Sequence, residues 1–151
     1  MNLLVSACLL GVRCRYCGDA CPGDGVKSLA GRFGLIPVCP EQLGGLPTPR
    51  PPAEIRDGHV VTASGGDVTQ AYHKGAQEAL SLAKLFGCRY AVLKSRSPSC
   101  GAGNIYDGTF SGTLTRGNGV TAELLQQGGI TVLNEENALA ELNRLSPPVR
   151  S

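Results

Sequence analysis

Three cysteines stand where they could share one site. Cys8 ends the first apolar run of the chain, Cys39 ends the second, and Cys100 lies in a turn of Ser, Pro and Gly shortly after the third. Continuous apolar runs are typical of strands buried on both faces of a sheet. In an open parallel sheet the carboxyl ends of the strands share one edge, and ligands bind there. The three thiols can therefore meet in space although they are far apart in sequence.

Three thiols at one site would bind a soft metal. Thiolates select zinc, copper(I) or an iron–sulfur cluster, and structural zinc takes four ligands from Cys and His. The two histidines, His59 and His73, lie outside the cysteine-containing loops. Three cysteines without a clear fourth ligand favour a cubane cluster with one open iron, which could act as a Lewis acid. The alternative is that each Cys is a small buried apolar residue, as we expect for Cys88.

A second group of cysteines has a local metal-type spacing. Cys14, Cys17 and Cys21 are separated by two and three residues in a loop rich in Gly and Pro. This spacing could form a zinc-binding module or a thiol-redox pair, or the three thiols could be unrelated. The sequence leaves these alternatives open.

Polar residues accompany the strand-end cysteines. Glu41 follows Cys39 by two residues and is a candidate general acid or base, or else a solvated loop charge. Ser97 and Ser99 could orient substrate or water beside Cys100, or close a turn. Basic residues near the same edge could bind a phosphate, although each alone is more often a surface charge; they are Arg15, Arg50, Lys94 and Arg96.

Strands and helices alternate along the chain. Apolar runs predict strands at 2–8, 34–38, 90–94 and 130–133, and helices are predicted at 26–33, 67–86, 119–127 and 137–145. This alternation favours an α/β fold with a mostly parallel sheet of four strands and helices on both faces. The 21 Gly and 10 Pro cluster between the runs, which predicts long loops at the strand carboxyl ends. We expect residues 1–151 to form a single three-layer domain.

Turn residues predict the remaining features. Pro37 cannot donate to a sheet ladder, so its strand should lie at an edge. Residues 39–52 contain many prolines and should form a stiff loop without helix or sheet. Hairpins are predicted to turn at Asp57-Gly58 and at Asp107-Gly108, and the last helix should stop at Pro147-Pro148.

The net charge, the N-terminal residues and the cysteine count indicate which partners and which cellular compartment to expect. A net charge of +2 is too small for a duplex nucleic-acid partner. The N-terminus lacks a basic region followed by a long apolar stretch, so we predict no signal peptide, no membrane anchor and a cytoplasmic protein. Seven cysteines cannot all pair within one chain, and in a reducing compartment they indicate metal binding or catalysis.

Several longer motifs resemble the thiouracil desulfidase family. They cover nearly the whole chain and lie at Ser6–Gly11, Pro37–Glu41, Gly44–Arg50, Gly66–Thr69, Leu93–Gly101 and Ile105–Phe110. The resemblance implies an oxygen-sensitive 4Fe-4S cluster held by Cys8, Cys39 and Cys100, with one open iron for the sulfur of a thiolated uracil. It implies that water replaces this sulfur without net redox change, giving uracil and hydrosulfide. Glu41 and Ser97 would be the proton-handling and positioning residues.

The resemblance also implies which substrates to expect. Family members act on thiouracil or on 4-thiouridine monophosphate, a breakdown product of modified transfer RNA, and we expect nucleotide salvage by a hydrolase acting on a mononucleotide. We predict substrate contacts from Lys94, Ser99, Arg15 and Tyr16. The family usually has Arg-Tyr-Asp-Gly where this chain has Arg-Tyr-Cys-Gly. Cys17 thus replaces a carboxylate, a change that bears on substrate choice.

Overall fold

The computed structural model describes residues 1–146. In chain order, its elements are β1 (Asn2–Ser6), α1 (Asp24–Lys27), β2 (Gly34–Val38), α2 (Pro40–Leu43), β3 (Ala53–Arg56), β4 (His59–Thr62), α3 (Thr69–Leu85), β5 (Tyr90–Leu93), β6 (Asn104–Tyr106), β7 (Leu114–Arg116), α4 (Val120–Gln127), β8 (Thr131–Asn134) and α5 (Ala138–Leu145). Short 3₁₀ turns follow β1 at Ala7–Leu10 and α1 at Ser28–Gly31.

A parallel sheet of four strands forms the centre of the protein. Its order is β2-β1-β5-β8, and every neighbouring pair is parallel. Ser6 lies opposite Val38 and Val5 opposite Val92, so the strands end at a common edge. The predicted parallel sheet is confirmed, and β2, which contains Pro37, is an edge strand as expected.

Helices cover both faces of this sheet. Leu3 and Val5 of β1 pack on one face against Leu29 and α5. Leu4 points to the other face, where α3 and α4 supply apolar side chains. These strand residues are fully buried, which explains why the runs are continuously apolar rather than alternating. The predicted three-layer α/β arrangement is therefore confirmed.

Two hairpins stand apart from the main sheet. β3 and β4 pair antiparallel around Asp57 and Gly58, whose φ angles of 51° and 78° suit a tight hairpin turn. β6 and β7 also pair antiparallel, but they are joined by residues 107–113 rather than by a turn at Asp107-Gly108. The predicted turn is wrong because the Gly108 N–H instead donates to Glu54 of the first hairpin, at 3.0 Å.

Two other local predictions need correction. The predicted helix at 26–33 is the short α1 followed by a 3₁₀ turn. The stretch predicted to lack helix contains α2, because Pro40 occupies its first position, where the missing N–H has no helical partner to lose. The predicted stop at Pro147-Pro148 lies outside the described residues.

Within residues 1–146, no helix combines the length and the apolar character needed to cross a membrane.

Candidate functional site

A cavity of about 360 Å³ opens at the carboxyl edge of the main sheet. Loops after β1, β2 and β5 line its floor, and the two hairpins contribute to its walls. Most of the residues predicted to carry chemistry line it: Cys8, Cys39, Cys100, Glu41, Ser97, Lys94, Arg15 and Tyr16. The sheet edge therefore brings together groups that are up to 92 positions apart, from Cys8 to Cys100.

The strand-end cysteines are held by short, well-anchored turns. Cys8 lies in the 3₁₀ turn directly after β1 and is 8% exposed. Cys39 joins β2 to α2 and is half-buried. Cys100 is 6% exposed. All three thiols face the same cavity, as the parallel topology predicted.

The turn that carries Cys100 is fixed from two sides. The Ser97 hydroxyl oxygen accepts the N–H groups of Ser99 at 3.0 Å and Cys100 at 3.1 Å. The first residue of α4, Val120, donates its N–H to the Pro98 carbonyl at 2.8 Å. Ser97 both lines the cavity and shapes the turn. Its two acceptor sites are engaged, so its O–H remains available as a donor.

Ser99 does not join the cavity. Its side chain is buried, and its hydroxyl lies 3.0 Å from the hydroxyl of Thr121 in α4. We predicted that Ser99 contacts substrate. Its side chain instead points into the interface between the turn and α4, away from the cavity. Its position indicates support for the Cys100 turn instead.

A fourth cysteine faces the same cavity. Cys14 is 3% exposed and lines the cavity beside Cys8 and Cys39, and the Cys39 thiol donates to the Cys14 carbonyl at 3.7 Å. Cys17 is exposed, whereas Cys21 packs at the edge of the core. The alternative site of Cys14, Cys17 and Cys21 is therefore not assembled. Among residues 1–146, no three Cys, His, Asp or Glu side chains are arranged to hold a single metal ion.

The surroundings of Cys39 and Cys100 raise the pKa of both thiols and so favour their neutral form in the metal-free protein. Burial raises the pKa of Cys100 to about 12. The hydrogen bond with Cys14, together with burial, raises the pKa of Cys39 above its ordinary value. Metal binding would release these protons, because thiolates are the ligands. Several soft sulfur donors that line one cavity fit an iron–sulfur cluster.

Glu41 is the carboxylate nearest to this chemistry. Its Oε1 atom accepts the hydroxyl of Tyr72 at 2.6 Å and Nε of Arg50 at 3.2 Å. The Arg50 side chain is 3% exposed, and that of Glu41 is 18% exposed at the cavity. Arg50 also donates to the Cys14 carbonyl at 2.8 Å. Arg50 is therefore neither of the two alternatives that the sequence left open, a phosphate ligand or a surface charge, since most of its donors bind groups inside the protein.

The remaining basic residues lie at the mouth of the cavity. Lys94 Nζ is 3.3 Å from Oε2 of Glu135. The Arg15 guanidinium lies 5.8 Å from the ring centre of the exposed Tyr16. Arg96 has a φ of 66°, a left-handed conformation that is unusual for a non-glycine residue and frequent at functional sites. Arg96 Nη2 lies 3.6 Å from Oε1 of Glu136, so Lys94 and Arg96 are each paired with a carboxylate.

Comparisons with known proteins agree with this geometry. The sequence matches the model of the 2-thiouracil desulfurase family over residues 3–137. The chain belongs to this family. A relative in Bacillus subtilis (strain 168), the uncharacterized protein YbbK, is 46% identical over 143 residues, covering 88% of this chain and 95% of the relative. The solved structure of TudS, a [4Fe-4S]-dependent thiouracil desulfidase, has a TM-score of 0.88 and 45% identity, covering 95% of this chain and 98% of TudS.

Sequence reasoning missed several residues that line this cavity. Tyr72 lies within the predicted helix at 67–86, but nothing in the sequence marks its hydroxyl as the partner of Glu41, which is 31 positions away. Tyr106 and Phe110 form aromatic walls of the cavity. Their shared motif, Tyr-Asp-Gly-Thr-Phe, was visible as part of the family resemblance, but its place beside the thiols depends on the contact between the two hairpins.

Proposed function

We propose that this protein is a 4Fe-4S-dependent desulfidase that hydrolyses the C=S group of a thiolated uracil to C=O. The observation that carries this proposal is that the thiols of Cys8, Cys39 and Cys100 line one cavity together with Glu41. Family membership and the similarity to TudS support the same activity. The balanced reaction consumes the thio-compound and water and releases the oxo-compound, hydrosulfide and a proton.

We assign each residue at the site a separate role in this reaction. Cys8, Cys39 and Cys100 would hold the cluster as thiolates. The cluster, when bound, would supply a soft Lewis acid for the thiocarbonyl sulfur, making the ring carbon more electrophilic. Glu41 is proposed to take a proton from the attacking water. The Ser97 O–H is proposed to donate a hydrogen bond to the substrate or to this water.

The cavity also indicates a class of substrate. Tyr16, Tyr106 and Phe110 supply aromatic surface at which a pyrimidine ring can pack. Lys94 and Arg15 at the mouth could bind a phosphate, so we propose 4-thiouridine 5′-monophosphate as substrate beside 4-thiouracil and 2-thiouracil. A small molecule of this kind implies a role in nucleotide salvage. All seven cysteines are free thiols, which supports the cytoplasm as the compartment.

Product analysis tests the proposal. The protein is reconstituted anaerobically with iron and sulfide and incubated with each thio-compound, and the oxo-product and the sulfide are quantified. Replacing Cys8, Cys39 or Cys100 with Ala should abolish both the broad visible absorbance of the cluster and the activity. The matched control, Cys17→Ala, should retain both because its thiol lies outside the cavity lining.

Opposite results would refute this assignment. Full cluster content and turnover in any of the three strand-end variants would show that the cluster does not depend on that thiol. Zinc without sulfide, lost on replacing Cys17, would establish the local zinc site instead.

A further inference from the structure

The two oxygen atoms of Glu41 have different surroundings. Oε1 accepts two hydrogen bonds, from the Tyr72 hydroxyl at 2.6 Å and from Arg50 Nε at 3.2 Å. Among residues 1–146 no hydrogen bond reaches Oε2, although the side chain lines the cavity. One oxygen is therefore anchored inside the protein, and the other is left for water or substrate.

A close contact between two helices places the Tyr72 hydroxyl at this carboxylate. α2 and α3 meet at glycines: a Cβ on Gly44 would lie 1.9 Å from the Ala71 carbonyl oxygen, and one on Gly75 would lie 1.8 Å from that of Pro40. Only residues without a side chain permit this approach. Tyr72 lies on α3 between these contacts, so its hydroxyl reaches Glu41 of α2.

Tyr72 is suited to be a permanent donor. It is 2% exposed, and burial together with the charge of Glu41 raises its pKa far above the ordinary value. The hydroxyl therefore keeps its proton. A hydrogen bond from a buried donor to a carboxylate is stronger than one between neutral groups, so it can fix the side-chain rotamer.

We propose that Tyr72 is a positioning residue that, with Arg50, holds Glu41 so that Oε2 is the oxygen that exchanges protons during desulfidation. This inference rests on the proposed function. As the oxygen of water bonds to the ring carbon, one of its protons passes to Oε2. When the C–S bond breaks, that proton leaves with the sulfur as HS⁻, and the second water proton goes to solvent as C=O forms.

Removing the Tyr72 hydroxyl tests the inference. In the anaerobically reconstituted enzyme, Tyr72→Phe should lower kcat by about 10- to 100-fold, the range for losing one hydrogen bond to a charged group. KM and iron content should stay close to wild type. If Tyr72 acts through Glu41, adding Tyr72→Phe to Glu41→Gln should lower kcat no further than Glu41→Gln alone. Tyr90→Phe is the matched control. Tyr90 lies at the end of β5 that is farther from the cavity, so kcat of this variant should equal that of wild type.

The outcomes separate this inference from the proposed function. A loaded wild-type enzyme that forms no product refutes both. With an active wild type, the inference alone is refuted by a Tyr72→Phe kcat within twofold of wild type. It is equally refuted by additive losses in the double variant, which would show that Tyr72 does not act through Glu41, or by iron loss in Tyr72→Phe, which would mark a structural role.

Discussion

Replacing Arg50 with methionine should lower the stability of the protein, because Arg50 connects segments that line the cavity. The Arg50 guanidinium joins three segments: it donates to Glu41, to the Cys14 carbonyl, and to Pro47 and Thr48 in the proline-rich loop. Methionine fills a similar length but offers no donor. The substitution therefore leaves several partly buried acceptors unpaired while changing the packed volume little.

The size of the effect follows from these contacts. Each buried acceptor left without a partner costs about 1–3 kcal/mol. Breaking a buried ion pair costs about 3–5 kcal/mol, but Glu41 keeps its bond from Tyr72 and some access to water. The lower ends of these two ranges add to about 4 kcal/mol, which we take as the total loss of unfolding free energy. At about 2–4 °C per kcal/mol for a chain of this size, the melting temperature should fall by about 8–16 °C.

Thermal unfolding of the reduced, metal-free protein measures this change without interference from the cluster. Arg144→Met is the matched control, because the Arg144 side chain is 69% exposed and its one ion pair within residues 1–146 is with Glu141, so its melting temperature should stay near that of wild type. If Arg50→Met and Arg144→Met melt within about 2 °C of each other, a difference of no more than about 1 kcal/mol, Arg50 does not hold the three segments together and the reasoning is wrong.

Two further predictions concern burial and close packing. In the reduced, metal-free protein, iodoacetamide should modify exposed Cys17 much faster than buried Cys100; peptide mass spectrometry checks this, and equal rates would contradict the described burial. Gly75→Ala should lower the free energy of unfolding in urea by about 3 kcal/mol, because its Cβ would overlap the Pro40 carbonyl. Gly31→Ala, where a Cβ meets nothing within 4 Å, should change it little, and similar values for both variants would exclude the tight helix contact.

The sheet and the meeting of the strand-end thiols could be predicted from the sequence because both depend on local signals. Continuous apolar runs marked the strands, and parallel topology alone places Cys8 and Cys39 at one edge. Cys14 was grouped with Cys17 on spacing, but the chain turns its thiol inward beside Cys39.

The residues around Glu41 depend on contacts that the sequence does not display. Arg50 carries the same charge as any surface arginine, and only its buried acceptors distinguish it. Tyr72 fits an apolar helix face equally well with or without a partner for its hydroxyl. The contact of α2 with α3 requires two glycines, Gly44 and Gly75, that are 31 positions apart.

The two hairpins that line the cavity are held by contacts that leave several of their side chains free to vary. Glu54 of β3 accepts the N–H groups of Gly108 and Phe110, and a backbone bridge joins Ile105 to Arg96 in the segment that carries Cys100. Side chains that line the cavity from these hairpins can therefore diversify while both contacts are kept. A combinatorial library restricted to Ala53, Tyr106 and Phe110 would change which ring is accepted while the variants keep the same iron content.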